Sequence, residues 1–257
     1  LALKIKGKVL SYIRLDNVSI DIPIYSGSSR LLKNRVLNIL SGGRIASKSE
    51  GRLEFGALNL ISIDIKSGDR VGVIGENGAG KSTLLRVLSG VYAPTSGTAA
   101  ISGSIASLID LSLGIDPDLS GVENIYMRGL LLGLSKAEIE QHLDSIIHFT
   151  EIGNFIEMPL RTYSTGMQMR LAFAVSTALR SDILLMDEWL SVGDEAFQKK
   201  AIHRMNEMIA NTKILVLASH SLDLIKATCT KVIWLNKGTL EMFDDVNFVL
   251  EKYSKRR

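Results

Sequence analysis

Apolar runs of strand length recur along the chain: YIRLDNVSI (12–20), LNLISIDI (58–65), RVGVI (70–74), SIASLI (104–109), DILLM (182–186), KILVLAS (213–219), KVIWL (231–235) and TLEMF (239–243). Helical patterns separate several of the later runs, which predicts an α/β architecture with a parallel central sheet. The early runs have no helix between them and predict a small antiparallel sheet. From about 115 to 165 helix follows helix, through SGVENIYMRGLLLGL and SKAEIEQHLDSIIHFTEI, with Ser135 and Glu138 spaced as a capping box. RTYSTGMQMRLAFA (161–174) is a polar turn that runs into a helix with an apolar face of Leu171, Phe173 and Val175. A final helix is expected around DDVNFVLEKY.

Composition narrows the picture without changing it. At 257 residues, 46% hydrophobic and 22% charged, the chain is an ordinary globular sequence with room for one large domain or two modest ones. Its net charge of +3 is concentrated in LALKIKGK at the start and KYSKRR at the end, which reads as solvated tails and gives no nucleic-acid footprint. Cys229 stands alone, so it cannot form an internal disulfide; a small buried hydrophobe in a reducing compartment is expected. The apolar runs have strand length and fall short of a membrane span; neither a signal peptide nor a lipidated cysteine is visible. A cytoplasmic protein is therefore expected, and Leu1 in place of Met hints at a trimmed or engineered start.

The most specific chemistry follows RVGVI. GENGAGKST matches G-x-x-x-x-G-K-[ST], a strand followed by a phosphate-cradling loop and a helix. Gly75, Glu76, Asn77, Gly78, Ala79 and Gly80 offer backbone N–H groups to phosphates, and Lys81 neutralises the β and γ oxygens. Ser82 is the expected Mg²⁺ ligand, and Thr83 reaches the α-phosphate. Binding of a nucleoside triphosphate with Mg²⁺ is the reading. At the end of DILLM stand Asp187 and Glu188, at the edge of the sheet where ligands of α/β folds bind. Asp187 is expected to hold Mg²⁺ through water, and Glu188 to act as general base on the attacking water. His220 follows ILVLAS at the same edge and is expected to touch the γ-phosphate or to orient the water of Glu188.

GENGAGKST, a loop at 104–116, YSTGM, LLMDE, SVGD and ASH occur in an order that resembles the nucleotide-binding domain of ABC ATPases. The resemblance implies a P-loop NTPase fold with a parallel core sheet, an antiparallel subsheet and a helical subdomain. One domain is expected over 1–257: core at 12–114 and 167–243, an extra helix and loop at 26–52, a helical subdomain at 115–166, and a C-terminal helix and tail at 244–257. Tyr163, Ser164, Thr165, Gly166 and Met167 stand where the family has LSGGQ, and the resemblance implies that they meet the nucleotide of a second copy, so that the chain works as a homodimer. Asp194 falls in the D-loop. Asp110 stands where the family has a glutamine and becomes a further candidate near Mg²⁺. Ile22 occupies the position of the usual adenine-stacking aromatic, which leaves Tyr25 as the nearest substitute.

The segments RLAFA, DEWLSVGDEAF and DLSGVENIYMRGLLLGLS are similar to those of bacterial polysaccharide exporters of the O-antigen and teichoic-acid group. That implies a separate membrane permease as partner, a lipid-linked polysaccharide as cargo, and a peripheral position on the cytoplasmic face of the inner membrane. SSRLLKNRVLNIL, with Arg30, Lys33 and Arg35, predicts a basic amphipathic helix; taken alone it reads as a small lid packed on its own domain, whereas the resemblance implies a helix that helps gate or guide the glycan. Two other readings stay open at this point: a soluble ABC ATPase without a permease, and an ATP-dependent switch with little turnover.

Overall fold

The computed structural model describes residues 4–5, 8–9, 11–24, 45–47, 53–109, 111, 114–178, 180–188 and 195–256. The expected helix at 29–40, together with Tyr25, Asp110 and Asp194, lies outside the described residues. Two compact units are present. The first takes in the chain through Gly103, the short stretch Met186–Glu188, and Ile214 onwards; the second is Ser104–Leu185 with the segment from Trp189 to Lys213.

In the first unit, strands β1 (Lys4–Ile5) and β2 (Lys8–Val9) pair with each other. β3 (Tyr12–Ile24), β4 (Ile45–Ser47), β5 (Leu53–Lys66) and β7 (Ser96–Ser102) form an antiparallel sheet in the order β4–β5–β3–β7. Its core side carries Ile13, Leu15 and Val18 on β3 and Ile61, Ile63 and Ile65 on β5, all buried; the period of two holds along 61–65 and is broken on β3 by a register shift between Leu15 and Val18.

A second sheet in the same unit places β6 (Arg70–Ile74) between two parallel neighbours, β10 (Ile214–Ala218) and β11 (Lys231–Asn236). β12 (Thr239–Asp245) adds to β11 antiparallel. Val71, Val73 and Ile74 of β6 and all five residues of β10 are buried, so these strands read as unbroken apolar runs rather than alternating ones. Helix α1 (Lys81–Leu88) buries Leu84, Leu85 and Leu88. Cys229 ends α6 (Leu222–Thr228) and is buried, which pushes its thiol up to about 12.

The second unit contains β8 (Ile105–Leu108) and the start of β9 (Ile183–Asp187), whose Ile183 N–H donates to the Ser104 carbonyl at 2.9 Å. Helices α2 (Gly121–Leu131), α3 (Lys136–Thr150) and α4 (Thr165–Ser176) pack around Ile125, Ile139, Ile146, Leu160, Leu171 and Val175. Both α2 and α3 begin with full capping boxes, Ser120 with Glu123 and Ser135 with Glu138. Helix α5 (Glu195–Asn211) contributes Phe197, which meets Phe149 and Phe173 edge-on at centroid distances of 5.4 and 6.3 Å. The C-terminal α7 (Val246–Arg256) belongs to the first unit.

Candidate functional site

All the residues of the phosphate loop and the three polar residues expected beside it belong to the first unit. β6 ends at Ile74 and α1 starts at Lys81, so residues 75–80 form the loop between buried strand and buried helix. Gly75 has φ 150°, and an added Cβ would stand 2.3 Å from the Leu235 carbonyl oxygen and 2.9 Å from the Ala79 Cβ; only glycine lets the chain pass this close to β11. Gly78 has φ 74°, yet an added Cβ there would meet nothing within 4 Å. Glycine keeps that side of the loop open, where the backbone can approach a ligand. Glu76, Asn77 and Gly78 are exposed.

Lys81 is buried and crosses the loop: its Nζ donates to the carbonyls of Gly75 at 2.7 Å and Glu76 at 3.1 Å. Burial lowers its pKa, and the carboxylates of Asp187 and Glu188 oppose that shift. The ammonium is thus parked on two neutral acceptors in a field set by two acids. No acidic residue occupies the first turn of α1, and Gly80 before it supplies no side-chain cap. The positive end of the helix faces the loop uncompensated, as an anion site requires. Ser82 and Thr83 sit half-buried in that first turn.

At the end of β9, Asp187 is half-buried and Glu188 exposed. Glu188 adopts φ 67°, a left-handed conformation that costs a non-glycine residue about 1–2 kcal/mol. Its N–H donates to the Ala218 carbonyl at 2.8 Å, which ties it to the end of β10. His220 Nε2 lies 3.7 Å from Glu188 Oε1, with both side chains about half exposed. A cavity of 250 Å³ joins Gly75, Glu76, Asn77, Ser219, His220 and Tyr253. The structure therefore brings Gly75, Lys81, Asp187, Glu188 and His220 together, as the sequence anticipates. Tyr253 in the cavity wall carries no local signature; it comes from the C-terminal helix and is marked in the sequence only as an apolar helix position.

Ser82 and Asp187 offer a hydroxyl and a carboxylate, hard oxygen donors. No group of three acidic, His or Cys side chains able to hold a metal occurs among the described residues. A Mg²⁺ carried on phosphates needs only one or two protein oxygens, so this donor set fits it.

The turn YSTGM is in the second unit. Ser164 is the N-cap of α4, its Oγ accepting from the Met167 N–H at 3.2 Å. The first-turn N–H groups at Thr165 and Gly166 have no intrahelical partner by geometry, and no acid in that turn neutralises them. Gly166 is helical and an added Cβ would find only Ser164 Oγ, at 3.9 Å. Nothing among the described residues demands glycine there. Tyr163 is different: it is buried in the helical core, its hydroxyl donating to the Phe155 carbonyl at 2.6 Å, so its side chain seats the turn rather than projecting from it.

The ABC transporter sequence profile matches residues 58–191. The O-antigen export system ATP-binding protein RfbE of Yersinia enterocolitica is 46% identical over 224 residues, 87% of this chain and 94% of that protein. The chain belongs to the ABC transporter family. This ABC protein is also 42% identical to the O-antigen export system ATP-binding protein RfbB of Myxococcus xanthus over 88% of its own length, which is about half, 51%, of that relative. The dimeric ATP-binding cassette MJ0796, solved with ADP and Pi, superposes with a TM-score of 0.64 at 19% identity, covering 91% of this chain and 98% of the other. That likeness establishes the fold. Among the described residues of this ABC ATPase no helix is long and apolar enough to cross a membrane.

Proposed function

We propose that the chain is the ATP-hydrolysing subunit of an exporter of lipid-linked polysaccharide, working as a homodimer beneath a separate membrane permease at the cytoplasmic face of the inner membrane. The observation that carries the reading is the match along 94% of the Yersinia O-antigen export protein. Within it, the phosphate loop binds ATP through its backbone N–H groups and Lys81, which exchanges the carbonyls of Gly75 and Glu76 for phosphate oxygens. Ser82 and Asp187 would hold Mg²⁺, which screens phosphate charge when bound.

Glu188 takes the proton of the attacking water. His220, 3.7 Å from its Oε1, orients that carboxylate. Ser164 and Gly166 supply donors to the γ-phosphate bound by a second copy. The support for this trans role is the start of α4, where Ser164 and Thr165 are exposed, Gly166 is half-buried, no acidic residue stands in the first turn, and the described packing does not need the glycine.

Two measurements test the reading. Glu188→Gln is expected to lower turnover by about 10²–10⁴-fold with ATP binding kept, as removal of a general base does; unchanged turnover would sink the assignment. Purification of the chain with its membrane subunit, followed by ATPase assay with lipid-linked O-antigen or lipid-linked teichoic acid, tests the cargo. Stimulation by teichoic acid alone reassigns the polymer class, and failure to associate with any permease refutes transport.

A further inference from the structure

A second cavity, larger than the one beside the phosphate loop, shares none of its lining residues. It measures 660 Å³ and is built within the second unit, from the end of α3, the segment after α4 and the middle of α5. Four Lys or Arg side chains line it, Arg180, Lys199, Lys200 and Arg204, against one carboxylate, Glu207. Its apolar lining is Phe149, Ala178 and Met208.

The cations are not equivalent. Lys200 is paired with Glu151, which also faces Arg170 at 3.9 Å, and Lys199 is paired with Glu195 at 3.2 Å. Glu207 faces His203 at 3.4 Å. Arg180 is exposed and Arg204 half-buried, and neither makes an ion pair among the described residues. Arg204 instead donates from Nε to the Thr177 carbonyl at 3.2 Å and lies over the Phe149 ring, 4.3 Å from its centroid. These contacts fix the plane of the guanidinium without neutralising it. Burial lowers its pKa, an effect opposed by Glu207.

A half-buried arginine that makes no ion pair among the described residues, with only Glu207 in its field, keeps donors for a further anion, and a fixed guanidinium fork matches phosphate oxygens. The volume falls within the range of about 300–1,000 Å³ typical of small-molecule sites, and the aromatic and aliphatic wall suits a ligand with an organic part. We infer that this cavity binds a small organic phosphate, with Arg204 and Arg180 on the phosphate and Phe149, Ala178 and Met208 against the remainder. It is a second ligand site, separate in residues from the phosphate loop, through which such a compound regulates the ATPase.

The experiment uses the full chain carrying Lys81→Ala, which removes the main phosphate contact of the loop. Titration calorimetry with pyrophosphate, glucose 1-phosphate and UDP-glucose is run on this chain and on the same chain with Arg180→Glu and Lys199→Glu, both exposed positions whose reversal leaves the core intact. Binding of at least one organic phosphate is expected, stronger than pyrophosphate, and weakened at least about tenfold by the reversal, the loss of one charge-assisted contact. In the Lys81-containing chain, the same ligand is expected to change ATPase rate, and the double reversal to abolish the change while keeping basal rate. Affinity unaltered by the reversal, no binding up to millimolar ligand, or binding only to phosphatidylglycerol vesicles would each overturn the inference; the last would make the cavity a membrane contact.

Discussion

Gly75 and Gly78 sit in one loop and both have positive φ, yet the structure predicts opposite consequences for alanine at the two positions. At 75 the new Cβ meets backbone: the Leu235 carbonyl oxygen at 2.3 Å and the Ala79 Cβ at 2.9 Å. Neither atom is the end of a flexible side chain, so the loop or β11 must move. Overpacking of this kind costs about 1–3 kcal/mol, and the disfavoured φ about 1–3 kcal/mol more, together roughly 2–6 kcal/mol. For a protein of this size each kcal/mol lowers Tm by about 2–4 °C, so Gly75→Ala should fall by roughly 5–20 °C. At 78 nothing lies within 4 Å of the added Cβ, leaving only left-handed strain of about 1–2 kcal/mol and a Tm loss of a few degrees. The methyl instead stands on the open side of the loop, where a phosphate would approach. Loss of one charge-assisted bond at about 1.5–3 kcal/mol weakens ATP by about tenfold to about a hundredfold. The assay is circular dichroism melting of both variants with nucleotide absent, then ATP binding by fluorescence titration. Equal Tm losses, or Gly78→Ala binding ATP as tightly as the parent, would refute the division of the loop into a packed side and a ligand side.

Gly166→Ala should raise Tm slightly, since glycine in a helix costs about 0.5–1 kcal/mol relative to alanine and the space is open, while turnover falls; a variant both stable and fully active would remove the argument for a partner at that turn. Mixing Ser164→Arg chains with Lys81→Ala chains should restore hydrolysis in the heterodimer, because one composite site stays whole, and no recovery in a verified heterodimer counts against trans assembly. Ser120→Ala and Ser135→Ala should each lower Tm by about 2–4 °C. The Ser120 and Ser135 hydrogen bonds hold the Glu123 and Glu138 carboxyls below their ordinary pKa, so the stability they give is present above that value and lost as pH falls through the depressed one; the gap between parent and Ser→Ala variants, followed by melting, should narrow on acidification to the part contributed by the serine oxygens accepting from the Glu123 and Glu138 N–H groups.

The sequence shows much of this fold because its chemistry is local. GENGAGKST is contiguous, and the strands beside it are buried on both faces, so β6, β10 and β11 announce themselves as apolar runs. β7 escapes the same reading: SGTAAIS is small and polar and, as an edge strand, mostly exposed. The box at Ser120 and Glu123 has the same spacing as the one recognised at Ser135 and could have been read. Tyr163 could not be assigned from its neighbours alone, since whether an aromatic before a helix faces core or solvent depends on Phe155 and the helices around it. Tyr253 and the charged cavity of the second unit depend on residues far apart in sequence, and no short motif records such meetings.

Cys229 has a practical consequence. The chain's one thiol is sealed behind β6 and α6 and stays protonated far above neutral pH, so alkylating dyes will pass it by in the folded protein. A fluorophore can be placed through a cysteine introduced at an exposed position away from the candidate site, such as Ser145, with no need to rebuild the interior first, and the proposed pairing of chains can then be followed one molecule at a time.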